Sequence, residues 1–261
     1  MKHAKVGDAW LHVETLAANG GPTVVYINSL GSDLRIWDGV VEQLAGAGFG
    51  ALRFDLRGHG LSDLGTPPKL IADHVQDLIG VMDGFEVGRA WVCGVSVGGV
   101  IALGLSEAAP QRVERLVLCC TGAKIGTADS WNARISAVEQ GGVAAVSEEV
   151  LKRWLPPAVH AADAPELALA RNMLSRTPAA GYNATCVALR DSDLTGAARA
   201  VRVPALCIAG ELDGSTPPAL VRALAALVPG ARYHEIAGAG HLPCLQTPAA
   251  LADEIQAFAG L

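Results

Sequence analysis

Residues 89–99 read RAWVCGVSVGG, an apolar run of strand character that breaks into G-x-S-x-G at 94–98 and passes at once into a helix-like pattern at 97–109. A strand, a tight turn and a helix in that order put Ser96 at the turn itself. A serine so placed takes a strained backbone conformation, and the positions two before and two after it must lack bulk. Gly94 and Gly98 meet that need, and Gly99 lets the helix approach the strand closely. The Ser96 hydroxyl is thereby presented as a nucleophile. The Val97 N–H, at the positive end of the helix, points to where an acyl oxyanion would form.

Around this turn, short apolar runs rich in β-branched residues recur at 23–28 (TVVYIN), 49–55 (FGALRFD), 113–120 (VERLVLCC) and 203–210 (VPALCIAG). Such runs suit strands buried on both faces of a parallel sheet. Helical patterns at 36–45 and 71–85 separate them, so strand and helix alternate. Segment 10–16 (WLHVETL) alternates in hydropathy and reads as an antiparallel edge strand. From 123 to 195 only helix-like patterns occur, at 129–140, 142–154, 164–176 and 178–190. Strand character resumes at 203, followed by a helix at 217–228, a strand at 231–237 and a last helix at 248–259. The expected fold class is α/β: a mostly parallel sheet flanked by helices, with a core domain at 1–122 and 196–261 and a helical cap at 123–195.

Two later loops of the same sheet carry an acid and a base. Asp213 follows the strand at 203–210 in GELDGSTPP, where open α/β sheets place ligand-handling loops, with Glu211 as its competitor. His241 lies in GAGHLPCLQTP, after the strand at 231–237. The chain order Ser96, Asp213, His241 is nucleophile, acid, histidine. In that arrangement His241 takes the serine proton, while Asp213 fixes the imidazole tautomer and stabilises the imidazolium. His59, in DLRGHG, precedes the nucleophile and reads as a turn residue. A second oxyanion donor is expected from the loop after 23–28, where the Leu30 N–H is the candidate.

Composition removes other classes of function. Hydrophobic residues form 51% of the chain and charged ones 18%, which excludes wholesale disorder. The net charge of −6, without a basic cluster, argues against nucleic acid or an anionic membrane as a partner. No signal-peptide pattern or long apolar stretch is seen, so the expected location is the cytoplasm. The six cysteines show no C-x-x-C pairing and read as buried free thiols, and the histidines have no metal-ligand spacing.

The segments NSLGSDLRIW (28–37), FDLRGHGLS (54–62), CGVSVGG (93–99), GELDGSTPP (210–218) and GAGHLPCLQTP (238–248) together resemble the α/β-hydrolases over nearly the whole chain. INSLG at 27–31, taken with LCCTGAKIGTADSW at 118–131, is most similar to the 3-oxoadipate enol-lactonases. Asn28-Ser29 replaces the His-Gly of most α/β-hydrolases, in keeping with that subgroup, whereas CCTG at 119–122 departs from it. The resemblance implies a cap inserted after the sixth strand and a cofactor-free, acyl-serine hydrolysis of 3-oxoadipate enol-lactone to 3-oxoadipate in aromatic-compound degradation. Its partner would be a small anionic lactone. The oligomeric state stays open. Other small-ester, lactone or carbon–carbon bond hydrolases of the same fold, and a non-catalytic ligand receptor, are the alternatives.

A buried carboxylate on such a substrate needs a cation. Trp131 and Arg134 stand at i and i+3 on one helix-like face, and Arg153 and Trp154 form a second pair. Trp131, Arg134 and Trp154 are the expected substrate-binding residues, as two aromatic walls and a guanidinium anchor.

Overall fold

The structure is a computed structural model and describes residues 1–260. The strands are β1 (Lys2–Val6), β2 (Ala9–Leu16), β3 (Thr23–Ile27), β4 (Gly50–Phe54), β5 (Ala90–Val95), β6 (Val113–Cys119), β7 (Ala205–Gly210) and β8 (Arg232–Ile236). They form one eight-stranded sheet in the order β1-β2-β4-β3-β5-β6-β7-β8. Strands from β4 to β8 across that order pair in parallel, and β2 is antiparallel to both β1 and β4. Every residue of β4, β5 and β7 is buried, as their unbroken apolar runs require.

The edge differs from the expectation. Segment 10–16 lies inside the sheet as most of β2, and β1 covers its outer side. The alternating burial of β2 follows its alternating hydropathy, but β1 (KHAKV) buries only Ala4 fully and carries lysine or histidine at three of its five positions. A short polar strand blunts the sheet edge against further pairing, and for the same reason leaves no hydrophobic period to read.

Helices α1 (Asp38–Ala45), α2 (Ile71–Gly84) and α3 (Val97–Ala108) connect the first parallel strands. Between β6 and β7 the chain leaves the sheet and runs through α4 (Ala128–Gly141), α5 (Ala144–Trp154), α6 (Pro157–Ala161), α7 (Pro165–Arg176), α8 (Ala179–Arg190) and α9 (Thr195–Ala200). The short α6 and α9 are additional to the patterns read from sequence. Helix α4 packs on α5 and α8, and α8 reaches α2, so this helical layer rests on the sheet domain. Helices α10 (Pro218–Leu227), α11 (Pro243–Gln246) and α12 (Pro248–Ala259) complete the chain. Helix α3 is buried from Val97 through Leu105, being apolar all round and enclosed between sheet and neighbouring helices. Among the described residues no helix is long and apolar enough to cross a membrane. All six cysteines are buried free thiols.

The loop after β4 is tied down by a buried ion pair. Arg57 donates from Nε to Asp77 Oδ2 at 2.9 Å and from Nη2 to Asp77 Oδ1 at 2.6 Å, joining the FDLRGHG segment to α2. The same guanidinium reaches Asp8 at 2.8 Å, in the turn between β1 and β2. Removing one member of a buried pair leaves an uncompensated charge. Asp77→Ala is therefore expected to lower unfolding stability by about 3 kcal/mol, read as a lower urea midpoint with an unchanged slope.

Candidate active site

Ser96 sits between β5 and α3 with φ +59° and ψ −120°, a conformation that L residues rarely adopt. The backbone crossing around it leaves no room for side chains. A Cβ on Gly94 would lie 2.2 Å from the Gly98 carbonyl oxygen, and one on Gly98 would lie 2.3 Å from the Ile27 carbonyl oxygen of β3. The turn is pinned to the end of β6: Ser96 N–H donates to the Cys119 carbonyl at 3.0 Å, and Thr121 Oγ1 donates to the Ser96 carbonyl at 2.6 Å.

Asp213 follows β7 and His241 follows β8, and both are buried. His241 Nδ1 lies 2.8 Å from Asp213 Oδ2. Oδ1 of the same carboxylate accepts the N–H groups of Ser215 at 2.7 Å and Thr216 at 2.9 Å. Burial pushes the Asp213 carboxyl up, but the His241 charge and the hydrogen bonds from His241 and Thr216 outweigh it and hold the acid below its ordinary value. With the ionised carboxylate at Nδ1, the proton of neutral His241 belongs on that nitrogen and Nε2 is left to accept. Among the described residues no hydrogen bond joins Ser96 Oγ to the His241 ring, yet both residues line one cavity of about 450 Å³. The rival acid is elsewhere: Glu211 is exposed and accepts the Gly238 N–H at 2.7 Å. His59 is fully buried, its Nδ1 3.2 Å from the Arg57 carbonyl, and burial depresses it to about 4.

Ser29 and Leu30 also line the cavity. Neither the Leu30 nor the Val97 backbone N–H meets another group among the described residues, so both remain able to donate; the Val97 side chain is packed in the core. Asn28, next to them, is held by two bonds. Its Nδ2 donates to the Phe54 carbonyl at 2.8 Å and its Oδ1 accepts Trp37 Nε1 at 3.0 Å, which fixes the start of this loop against β4.

The helical layer also lines the cavity. Trp131, Arg134, Arg153 and Trp154 all line it. Trp131 is anchored by Nε1 to the Ile125 carbonyl at 2.7 Å, and the Arg134 guanidinium lies 5.1 Å from the Trp131 ring centroid. Arg153 faces Glu149 at 3.6 Å. Trp154 lies nearly parallel to the His241 ring, at 6.2 Å between centroids.

Several lining residues escaped the sequence reading, Thr216 and Tyr182 among them. Thr216 Oγ1 is 2.7 Å from both the Cys120 carbonyl and Asp213 Oδ2, and 3.1 Å from His241 Nδ1. Its position three residues after the acid was a usable signal. Tyr182, buried on α8, had none, because only packing brings α8 to the cavity. Cys120 Sγ, Asp213 and His241 offer donor atoms within 4.8 Å of one another. An ion there would have to displace the hydrogen bonds already converging on the Asp213 carboxylate.

A model of the α/β hydrolase fold family matches residues 22–248 of the chain. The chain is 30% identical to 3-oxoadipate enol-lactonase 2 of Acinetobacter baylyi over 80% of its own length and 78% of that protein's. It is 32% identical to the pimeloyl-[acyl-carrier protein] methyl ester esterase of Nitrosomonas europaea, covering 92% of this chain and 96% of that one. The crystal structure of the enol-lactonase from Burkholderia xenovorans LB400 superposes with a TM-score of 0.94 at 34% identity, over 100% of both chains.

Thr216→Val keeps the shape of the site and removes the hydroxyl beside Asp213 and His241. A hydrogen bond to a charged group contributes about 1.5–3 kcal/mol, so ester turnover should fall roughly 10- to 100-fold. Circular dichroism and the melting temperature should report a folded protein.

Proposed function

The chain belongs to the α/β-hydrolase family, and from that membership we propose that it is a cofactor-free serine hydrolase that opens 3-oxoadipate enol-lactone to 3-oxoadipate, a step of aromatic-compound degradation. The observation that carries the proposal is that one cavity is lined both by Ser96 and His241 and by Arg134 and Arg153. A five-membered lactone with an acetate arm has a carbonyl for the first pair and a carboxylate for the second. Trp131 and Trp154 add flat apolar surface to the same lining.

In this reaction Ser96 Oγ attacks the ring carbonyl carbon as its proton passes to His241 Nε2. The oxyanion is held by the N–H groups of Leu30 and Val97. The ring C–O bond then breaks, and the oxygen leaves as an enolate that takes a proton and becomes the ketone. An enol leaves more readily than an alkyl alcohol, so the acid role of His241 is lighter here than its base role in deacylation. Water, deprotonated by His241, attacks the acyl-serine and frees Ser96. Asp213, ionised and buried against Nδ1, stabilises the imidazolium in both halves.

A second reading, hydrolysis of an uncharged small ester, is favoured by Glu149, which lines the cavity and offsets part of the Arg153 charge. The 32% identity to a methyl ester esterase points the same way.

Wild-type protein is expected to consume enol-lactone in a spectrophotometric assay, far faster than p-nitrophenyl acetate or a meta-cleavage dienoate. Ser96→Ala should lower kcat by about four orders of magnitude and abolish fluorophosphonate labelling. Retention of more than about a tenth of turnover would rule out serine as the nucleophile.

Arg134→Met tests the role of the guanidinium. It should reduce kcat/KM for enol-lactone about 10- to 100-fold and affect p-nitrophenyl acetate much less. Equal losses on the two substrates would mean that Arg134 holds the helical layer together and not the carboxylate.

A further inference from the structure

Arg153 and Trp154 end α5, and both place their backbone carbonyls on loops of the sheet domain. The Arg153 carbonyl accepts the N–H of Gly214, the residue after Asp213, at 3.0 Å, and the Trp154 carbonyl accepts the His241 N–H at 2.7 Å. Carbonyls left free at a helix end are thus used to hold the acid loop and the base loop at once. The fit is close. A Cβ on Gly240 would lie 2.3 Å from the Trp154 carbonyl oxygen, and one on Gly214 would lie 3.2 Å from Arg153 Cα. The Trp154 indole and the His241 imidazole also lie face to face, with 24° between their planes. A displacement of the α5 end therefore moves both the Asp213 loop and His241.

The same two residues line the substrate cavity. The Arg153 guanidinium shares it with Arg134 of α4. Burial first, and then the Arg134 charge, hold Arg153 below its ordinary value, as expected of two cations turned toward one space. Glu149, at 3.6 Å, lies on the same helix as Arg153 and so does nothing to bring α4 and α5 together. A carboxylate between the two guanidiniums would attract both and draw those helices toward each other.

We propose that the substrate's carboxylate, seated between Arg134 and Arg153, sets the position of the α5 end and, through the Arg153 and Trp154 carbonyls, aligns Asp213 and His241, so that the charged arm raises turnover and not binding alone. Arg153 and Trp154 are positioning residues in this scheme. Interaction energy from a remote part of the substrate then appears at the reacting centre. The inference rests on the cavity being the substrate site of a serine hydrolase, but it does not need the substrate to be the enol-lactone.

The test compares p-nitrophenyl hydrogen adipate with p-nitrophenyl hexanoate, which share a leaving group and an acyl chain length and differ by a terminal carboxylate in place of a methyl group. In wild-type protein kcat for the adipate is expected to be about tenfold higher. That ratio should fall toward one in Arg153→Met and recover in part in Arg153→Lys. Equal kcat values in wild type, with any difference confined to KM, overturn the inference, and so does a kcat ratio that persists in Arg153→Met. The expected ratio in a protein that leaves enol-lactone intact would retire the lactone as substrate and keep the coupling. Hydrolysis of enol-lactone with no kcat ratio between the esters would do the reverse.

Discussion

The start of α3 crosses so close above β3 and β5 that backbone touches backbone, with the Gly98 Cα facing the Ile27 carbonyl and the Gly94 Cα facing the Gly98 carbonyl. That contact forces Ser96 into its positive-φ conformation at the turn. It also sets the start of α3 beside the loop that begins at Asn28, because Ile27 is the residue being touched. Strain at one residue costs on the order of 1–3 kcal/mol. The buried strands on either side and the bonds from Ser96 N–H to Cys119 and from Thr121 to the Ser96 carbonyl hold it in place.

The acid–base pair solves a different problem, that of a carboxylate inside an apolar interior. Desolvation alone would protonate Asp213. Two backbone N–H groups, the Thr216 hydroxyl and His241 Nδ1 surround it instead, and the balance falls on the side of the anion. An ionised acid fixes the imidazole tautomer and ring direction, so the same network that makes burial tolerable also orients the imidazole. Asp55 shows the opposite outcome. It accepts the Leu34 and Leu61 N–H groups and His12 Nδ1, yet burial prevails and its carboxyl is raised.

The helical layer between β6 and β7 is more than a cover. It supplies the aromatic walls and the guanidiniums of the cavity through side chains, and it supports the acid and base loops through main-chain carbonyls. Ser96, Asp213 and His241 belong to the sheet domain, and the guanidiniums of Arg134 and Arg153 belong to α4 and α5. Arg153 and Trp154 are where the two meet.

Much of this protein was legible in its residues alone. Strand runs, helix periods, the small residues at 94 and 98, and the order serine, aspartate, histidine are short-range patterns imposed by backbone sterics and by burial of one or both faces. They located β2 to β8 and the longer helices to within a residue or two, and they singled out Ser96, Asp213 and His241. Strand β1 was missed because an edge strand need not be apolar. The geometry that turns Asp213 toward His241 and Glu211 toward Gly238, the contact of Thr216 with both partners, the arrival of Tyr182 at the cavity and the hold of α5 on two loops were decided only by tertiary structure. Each joins groups brought together by packing, or chooses between neighbours on one turn, and no periodicity along a chain encodes which side chain a fold will turn inward.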